Sequence, residues 1–146
     1  MSNIKVLLAD DHRVVRQGVR ALLEAETDIE IVGEVERGLA VAPAVERLHP
    51  DTLILDLMMP DMNGLEVARL VHENHPEVRI VVLSMHSHEA YVLQALRNGA
   101  YGYVLKDASS ENLVMAIRRT LDGHSYLCPT LQELIAKAQN MNLWFA

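Results

Sequence analysis

Ile4-Lys5-Val6-Leu7-Leu8-Ala9 runs straight into Asp10-Asp11-His12, and the reading of that junction decides the fold. A short, nearly continuous apolar run has the length of a strand buried on both faces. The same pattern recurs in Ile29 to Val35, Thr52-Leu53-Ile54-Leu55, Val78 to Leu83 and Tyr101 to Leu105. Between these runs the apolar residues fall at helical spacing. Val14, Val15, Val19, Leu22 and Leu23 mark a first helix. Leu39 to Leu48 marks a second, in which Pro43 must sit in the first turn or kink the helix. Leu65, Val67, Ala68, Leu70 and Val71 mark a third, after the turn Pro60-Asp61-Met62-Asn63-Gly64. Ala90 to Leu96 is a fourth, closed by Asn98-Gly99. Leu113, Ile117 and Leu121 mark a fifth, capped by Ser109 or Ser110.

Five strands alternating with five helices predict an α/β fold with a parallel sheet covered on both faces. Right-handed crossovers and the length favour a doubly wound five-stranded sheet of order 2-1-3-4-5. The chain has 146 residues, 50% of them hydrophobic and 23% charged. A chain of this size buries roughly 70% of its unfolded surface and folds without staples. The longest apolar run, Leu39 to Val45, is far short of a membrane span, so no membrane partner is expected. The start, Met1-Ser2-Asn3-Ile4-Lys5, has no signal-peptide layout. The single cysteine, Cys128, excludes an intramolecular disulfide and a multi-cysteine metal site. These features together predict a cytoplasmic protein. The net charge of −7 leaves no basic face for a sequence-independent grip on nucleic acid, and no direct nucleic-acid binding is expected.

The chemistry lies where the strands end. The first run ends in Asp10-Asp11, the third in Asp56, the fourth in Ser84 and the fifth in Leu105-Lys106. In an open α/β sheet, sites form outside the carboxyl ends of the strands. The order 2-1-3-4-5 brings three carboxylates, a hydroxyl and an ammonium to one edge. Carboxylates in a small cleft repel one another, and a hard divalent cation relieves that. Two or three carboxylates plus waters suit Mg²⁺. Asp56 then reads as a nucleophile that forms an acyl phosphate. Lys106 and the cation neutralise the phosphoryl oxygens, and the Ser84 hydroxyl bonds one of them.

Leu8-Ala9-Asp10-Asp11-His12, Leu55-Asp56-Leu57-Met58-Met59-Pro60, Val82-Leu83-Ser84 and Gly102-Tyr103-Val104-Leu105-Lys106-Asp107-Ala108 resemble a response-regulator receiver domain. The resemblance runs from about residue 3 to 122. Asn98-Gly99-Ala100-Tyr101-Gly102-Tyr103 followed by Lys106-Asp107 resembles the NarL/FixJ (LuxR-type) transcriptional subfamily. It implies a flavodoxin-like receiver fold and a two-component signalling role. Asp56 would accept phosphate from a sensor histidine kinase. Asp11 and Asp56 would ligate Mg²⁺ directly, together with the backbone carbonyl of Met58, and Asp10 would act through water. Ser84 and Lys106 would bind the phosphoryl group. Tyr103 would be the aromatic switch that turns inward when Ser84 moves. The surface of the fourth helix, fifth strand and fifth helix would read out the state, with a possible homodimer there or through helices one and five.

Two departures stand out. The family often has proline after the lysine, with a cis peptide. Here Asp107 follows, and a cis bond before a non-proline residue costs about 3 kcal/mol. Pro43 is unusual inside the second helix. Met58 and His86, two residues beyond Asp56 and Ser84, are expected to set water access to the site.

Taken singly, each residue has a duller reading. Asp10-Asp11 would cap the first helix, Lys106 would be solvated and Tyr103 would be packing. Their joint placement is what argues for chemistry. His86 and His88 read as a solvated loop. His12, His49, His72, His75 and His124 read as surface or helix-cap residues. Met58, Met59 and Met62 read as loop packing, and Cys128 as inert.

The receiver is assigned to residues 1–122 and a linker-like tail to 123–146. In the tail, Thr130-Leu131-Gln132-Glu133 reads as a capping box that opens a short sixth helix. Its stripe of Leu131, Leu134, Ile135 and Ala138 is expected to pack back on the domain or join a second copy. The Leu143-Trp144-Phe145 end suggests a contact or a foreign addition. The tail resembles the start of the linker that leads, in this subfamily, to a helix-turn-helix domain, so the chain reads as an isolated receiver. A stand-alone receiver without DNA-binding output is the alternative. A haloacid-dehalogenase-like phosphatase would need Asp-x-Asp at the first strand end, which Asp10-Asp11-His12 breaks. A flavin module would need a glycine-containing phosphate loop there. A phosphate-independent pseudo-receiver is disfavoured by the intact acidic pair, Asp56, Ser84 and Lys106.

Overall fold

The computed structural model describes residues 3–108 and 110–145, with 138–145 described by backbone alone. The apolar runs become β1 (Ile4–Ala9), β2 (Ile29–Val35), β3 (Thr52–Leu55), β4 (Arg79–Ser84) and β5 (Ala100–Leu105). The amphipathic stretches become α1 (Arg13–Glu24), α2 (Val41–Leu48), α3 (Gly64–Asn74), α4 (Glu89–Arg97) and α5 (Ser110–Leu121). The strands pair in parallel in the order β2-β1-β3-β4-β5, as expected.

Alternate residues of each strand feed two cores, as the twofold period of a strand requires. Leu7, Leu53, Leu55, Val82 and Tyr103 face the helices α2, α3 and α4. Val6, Leu8, Ile54, Val81 and Val104 face α1 and α5. Pro43 is the third residue of α2, where the backbone N–H would lack a helical partner in any case. A 3₁₀ turn at Gly38–Ala40 precedes it, and Asp61 accepts from the N–H groups of Gly38 and Leu39 at 2.7 and 3.0 Å. The described residues contain no cis peptide bond.

One glycine is fixed by the site. A Cβ on Gly64 would stand 2.4 Å from Leu57 Cα and 2.9 Å from the Asp56 carbonyl oxygen. The backbone of α3 therefore presses directly on the strand end that carries Asp56. Asn63 caps α3 by accepting from the Leu65 N–H at 2.9 Å.

The tail extends the sheet. Tyr126–Leu127 forms a sixth strand, β6, parallel to β5, with Tyr126 opposite Gly102 and Leu127 opposite Tyr103. Helix α6 (Pro129–Phe145) follows and packs against α4. It is longer than expected and opens two residues earlier, with Pro129 in place of Leu131 as its first residue. The Cys128 carbonyl accepts from Leu131 and Gln132 at 2.9 and 3.0 Å, so Cys128 takes the cap position, not Thr130. Proline is favoured at the first helical position because its missing N–H would be unpaired there anyway. Of the two expected fates of the stripe, packing back on the domain is the one seen. Cys128, Leu131 and Ile135 are buried in the same core as Tyr103 and Val92. Ser109, the Ala138 side chain and the Leu143-Trp144-Phe145 side chains lie outside the described residues. Among the described residues, no helix is long and apolar enough to cross a membrane.

Candidate functional site

Three backbone hydrogen bonds carry the sheet ladder one step past the strands. Asp10 N–H donates to Val35 at 3.1 Å, Asp56 N–H to Ala9 at 2.9 Å and Lys106 N–H to Ser84 at 2.8 Å. Each polar residue is thereby held in register against its neighbouring strand. The side chains of Asp10, Asp56 and Lys106 meet at one point as a result.

Lys106 Nζ stands 3.0 Å from Asp10 Oδ2 and 3.2 Å from Asp56 Oδ2. Asp10 is 1% exposed and Asp56 2%. Asp56 Oδ1 accepts from the Met58 N–H at 3.1 Å. Burial, reinforced by the charge of Asp10, raises the Asp56 carboxyl above its usual range; the Met58 N–H and Lys106 oppose this without cancelling it. Asp11 lies beside them, more open to solvent, with 29% of its side chain exposed. The reading of Asp10-Asp11 as a simple cap does not hold. His12 occupies the cap position of α1 and its side chain makes no capping bond, while Asp10 Oδ1 accepts from the His12 N–H at 2.7 Å.

Ser84 ends β4 fully buried, and its hydroxyl accepts from the His86 N–H at 3.0 Å. Tyr103 lies wholly inside, its hydroxyl donating to the His86 carbonyl at 2.7 Å. Burial raises the Tyr103 phenol above its ordinary value, and a hydrogen bond with Ser84 works against that. The Met58 side chain is half exposed and, with Asp11, Met59, Pro60 and Tyr91, lines a pocket of about 400 Å³ beside the acidic groups. Met59 is buried in the core and Met62 packs against it. His86 stacks on Tyr91 with ring centres 5.3 Å apart, and His88 caps α4.

Sequence reasoning missed two residues here. His12 turns its ring inward, with Nδ1 3.1 Å from Asp10 Oδ1 and 3.2 Å from Asp11 Oδ1. Its place beside the acidic pair was the available signal. Arg16 is 8% exposed and donates to the Asp10 carbonyl at 2.6 Å and to Glu36 at 2.9 Å, fixing the Asp10 backbone from below. Nothing in its spacing marks it.

The donor set fits a hard divalent cation. Three carboxylates face one ammonium, an excess of two negative charges. Asp10 Oδ2 and Asp11 Oδ1 are buried and make no hydrogen bond. Asp10 Oδ2 does lie within ion-pair distance of Lys106, but without hydrogen-bond geometry. Buried carboxylate oxygens left without hydrogen bonds are costly unless a cation meets them.

Residues 6–118 match the response regulator receiver domain. The nitrate/nitrite response regulator protein NarL of Escherichia coli strain K12 is 40% identical over 137 residues, 94% of this chain and 63% of its own length. A two-component response regulator of the LuxR family from Aurantimonas sp. SI85-9A1 superposes with a TM-score of 0.90 at 31% identity, covering 94% of this chain and 99% of that one. The isolated receiver domain of RcsB from Salmonella enterica serovar Typhimurium, solved with phosphomimetic BeF3-, gives 0.85 at 29% identity, covering 91% and 99%. The chain spans 58% and 63% of the length of two curated relatives it matches. Receiver domains bind Mg²⁺ in an acidic pocket and take phosphoryl groups from histidine kinases; they are not classical enzymes. Relatives form dimers. The strand-end acids, the parallel sheet and the matched stretch agree: this chain belongs to the receiver domains of two-component response regulators, in the NarL-like, LuxR-type branch.

Proposed function

We propose that Asp56 accepts a phosphoryl group from a sensor histidine kinase and that the transfer switches a partner or dimer surface. The observation that carries this reading is the buried convergence of Asp56, Asp10 and Lys106, with Nζ 3.2 Å from Asp56 Oδ2. Burial strips water from the Asp56 carboxylate and leaves it a better nucleophile. As one of its oxygens bonds to phosphorus, the bond from phosphorus to the donor imidazole nitrogen breaks. The electron pair returns to that nitrogen, which takes up a proton. Lys106 neutralises charge on the phosphoryl oxygens, and Ser84 donates its hydroxyl to one of them. Asp11, Asp56 and the Met58 carbonyl would hold Mg²⁺, with Asp10 acting through water; the ion would supply further positive charge to the same oxygens.

Tyr103 is the coupling element. Its ring already lies inward, so phosphorylation stabilises a state within reach of the unphosphorylated chain. Helix α6 covers α4, and β6 covers the outer edge of β5. That favours the α1–α5 face for a dimer, where Leu22, Ala25, Val114 and Met115 line a pocket of about 610 Å³. A cytosolic location and a part in transcriptional regulation belong to the same proposal.

Intact-mass measurement after treatment with a small phosphodonor and Mg²⁺ tests it. Wild type gains one phosphoryl mass and Asp56→Asn gains none. An unshifted wild type, or an equally shifted variant, overturns the assignment. Sustained turnover of a phosphate ester would favour the phosphatase alternative.

A further inference from the structure

His12 makes no capping bond although it heads α1. Its ring is 58% exposed, yet Nδ1 faces the nest and not the solvent. Besides its 3.1 and 3.2 Å approaches to Asp10 and Asp11, it stands 3.7 Å from Asp56 Oδ2 and 3.5 Å from Lys106 Nζ. One ligand atom from each of Asp10, Asp11, His12 and Asp56 lies within 4.8 Å of all the others. Atoms bound to one octahedral cation at about 2.1 Å stand about 3.0 Å apart when adjacent and about 4.2 Å apart when opposite. The His12 separations from the three carboxylate oxygens, 3.1, 3.2 and 3.7 Å, fall inside that range.

Nδ1 faces carboxylate oxygens on one side and the Lys106 ammonium on the other. A proton on Nδ1 suits the carboxylates but faces the Lys106 ammonium. A lone pair there suits the ammonium but faces two carboxylates. A cation shared with the carboxylates would take the Nδ1 lone pair and leave the ring proton on Nε2.

We propose that His12 is a nitrogen ligand of this site and makes it prefer first-row transition-metal dications over Mg²⁺. The proposal rests on the metal reading above and adds a ligand to it. Imidazole binds Ni²⁺ or Zn²⁺ far better than it binds Mg²⁺, which favours oxygen. Removing His12 therefore weakens the softer ions selectively.

The test is calorimetric titration of the unphosphorylated chain with Mg²⁺ and Ni²⁺, in wild type, His12→Asn, His12→Gln and Asp11→Asn. Both His12 variants lose about tenfold or more in Ni²⁺ affinity and little in Mg²⁺ affinity. Asp11→Asn weakens both ions. Spin-echo spectroscopy of the Mn²⁺-loaded wild type shows nitrogen coupling. His12→Asn abolishes it, whereas Asp11→Asn, which leaves every histidine in place, keeps it once Mn²⁺ is saturating. An equal loss for Mg²⁺ and Ni²⁺ in the His12 variants, or nitrogen coupling that survives His12→Asn, overturns the inference alone. A wild type that binds neither ion takes down the earlier metal reading as well.

Discussion

Asp10 and Asp56, at the carboxyl end of the sheet, are buried to 1% and 2% exposure with their charges turned on one another. Along the outer edge of β5, Tyr126, Cys128, Leu131 and Ile135 are buried to 7%, 1%, 0% and 7%, chiefly among apolar neighbours. Equal burial has opposite consequences in the two places. At the seam it removes apolar surface from water and stabilises the fold. At the nest it strips water from charges and destabilises the fold. Tyr103 joins the two regions. Its backbone carbonyl accepts from the Cys128 N–H at 3.3 Å, and its hydroxyl reaches the loop after Ser84.

The seam should yield the largest effect on stability. Leu131→Ala removes a fully buried side chain from the interface between α6 and the sheet. We expect a loss of roughly 2–5 kcal/mol in denaturant unfolding. Phosphoryl uptake by the remaining folded chain should stay intact. A loss below 1 kcal/mol would mean that the seam contributes little.

The nest should show the opposite sign. Because the Asp56 carboxyl is raised, the folded chain holds its proton more tightly than the unfolded chain does. Stability is then greatest below the ordinary carboxylate range and falls as pH climbs through the raised value. Asp56→Asn removes that fall. Without divalent cations, the variant should exceed wild type in stability at neutral pH. The gap should close in acid. Urea midpoints taken across the pH range decide this, and a wild type that is the more stable at neutral pH would break the contrast.

The smallest effect concerns the rim of the seam. Tyr126 donates its hydroxyl to Asn112 Oδ1 at 2.6 Å in a partly buried setting. Tyr126→Phe should cost roughly 0.5 kcal/mol. A cost several times larger would assign the seam a polar anchor as well as an apolar one.

The nest was legible in the sequence because its residue types are unusual at strand ends. Asp10, Asp56 and Lys106 each follow an apolar run, and topology alone brings such positions together. The bounds of β1, β2 and β3 were legible because charged or turn residues flank them. The seam was harder to read. Tyr126–Leu127 is too short for any period to show, and its pairing with Gly102 and Tyr103 depends on the chain returning across α5. The Thr130 capping pattern misled because Pro129 suits the first helical position, which moves the cap two residues earlier, to Cys128. His12 was read as a surface or cap residue. It does occupy the cap position, but the direction of its ring follows from the loop geometry after Asp10, which composition does not encode.

The two-residue strand β6 also bears on solubility. The outermost strand of a sheet exposes a row of free amide and carbonyl groups, on which another polypeptide can stack and seed aggregates. By occupying Gly102 and Tyr103, Tyr126 and Leu127 deny that template to a neighbouring molecule. The short returning segment thus closes this edge of the sheet, at Gly102 and Tyr103, to such stacking.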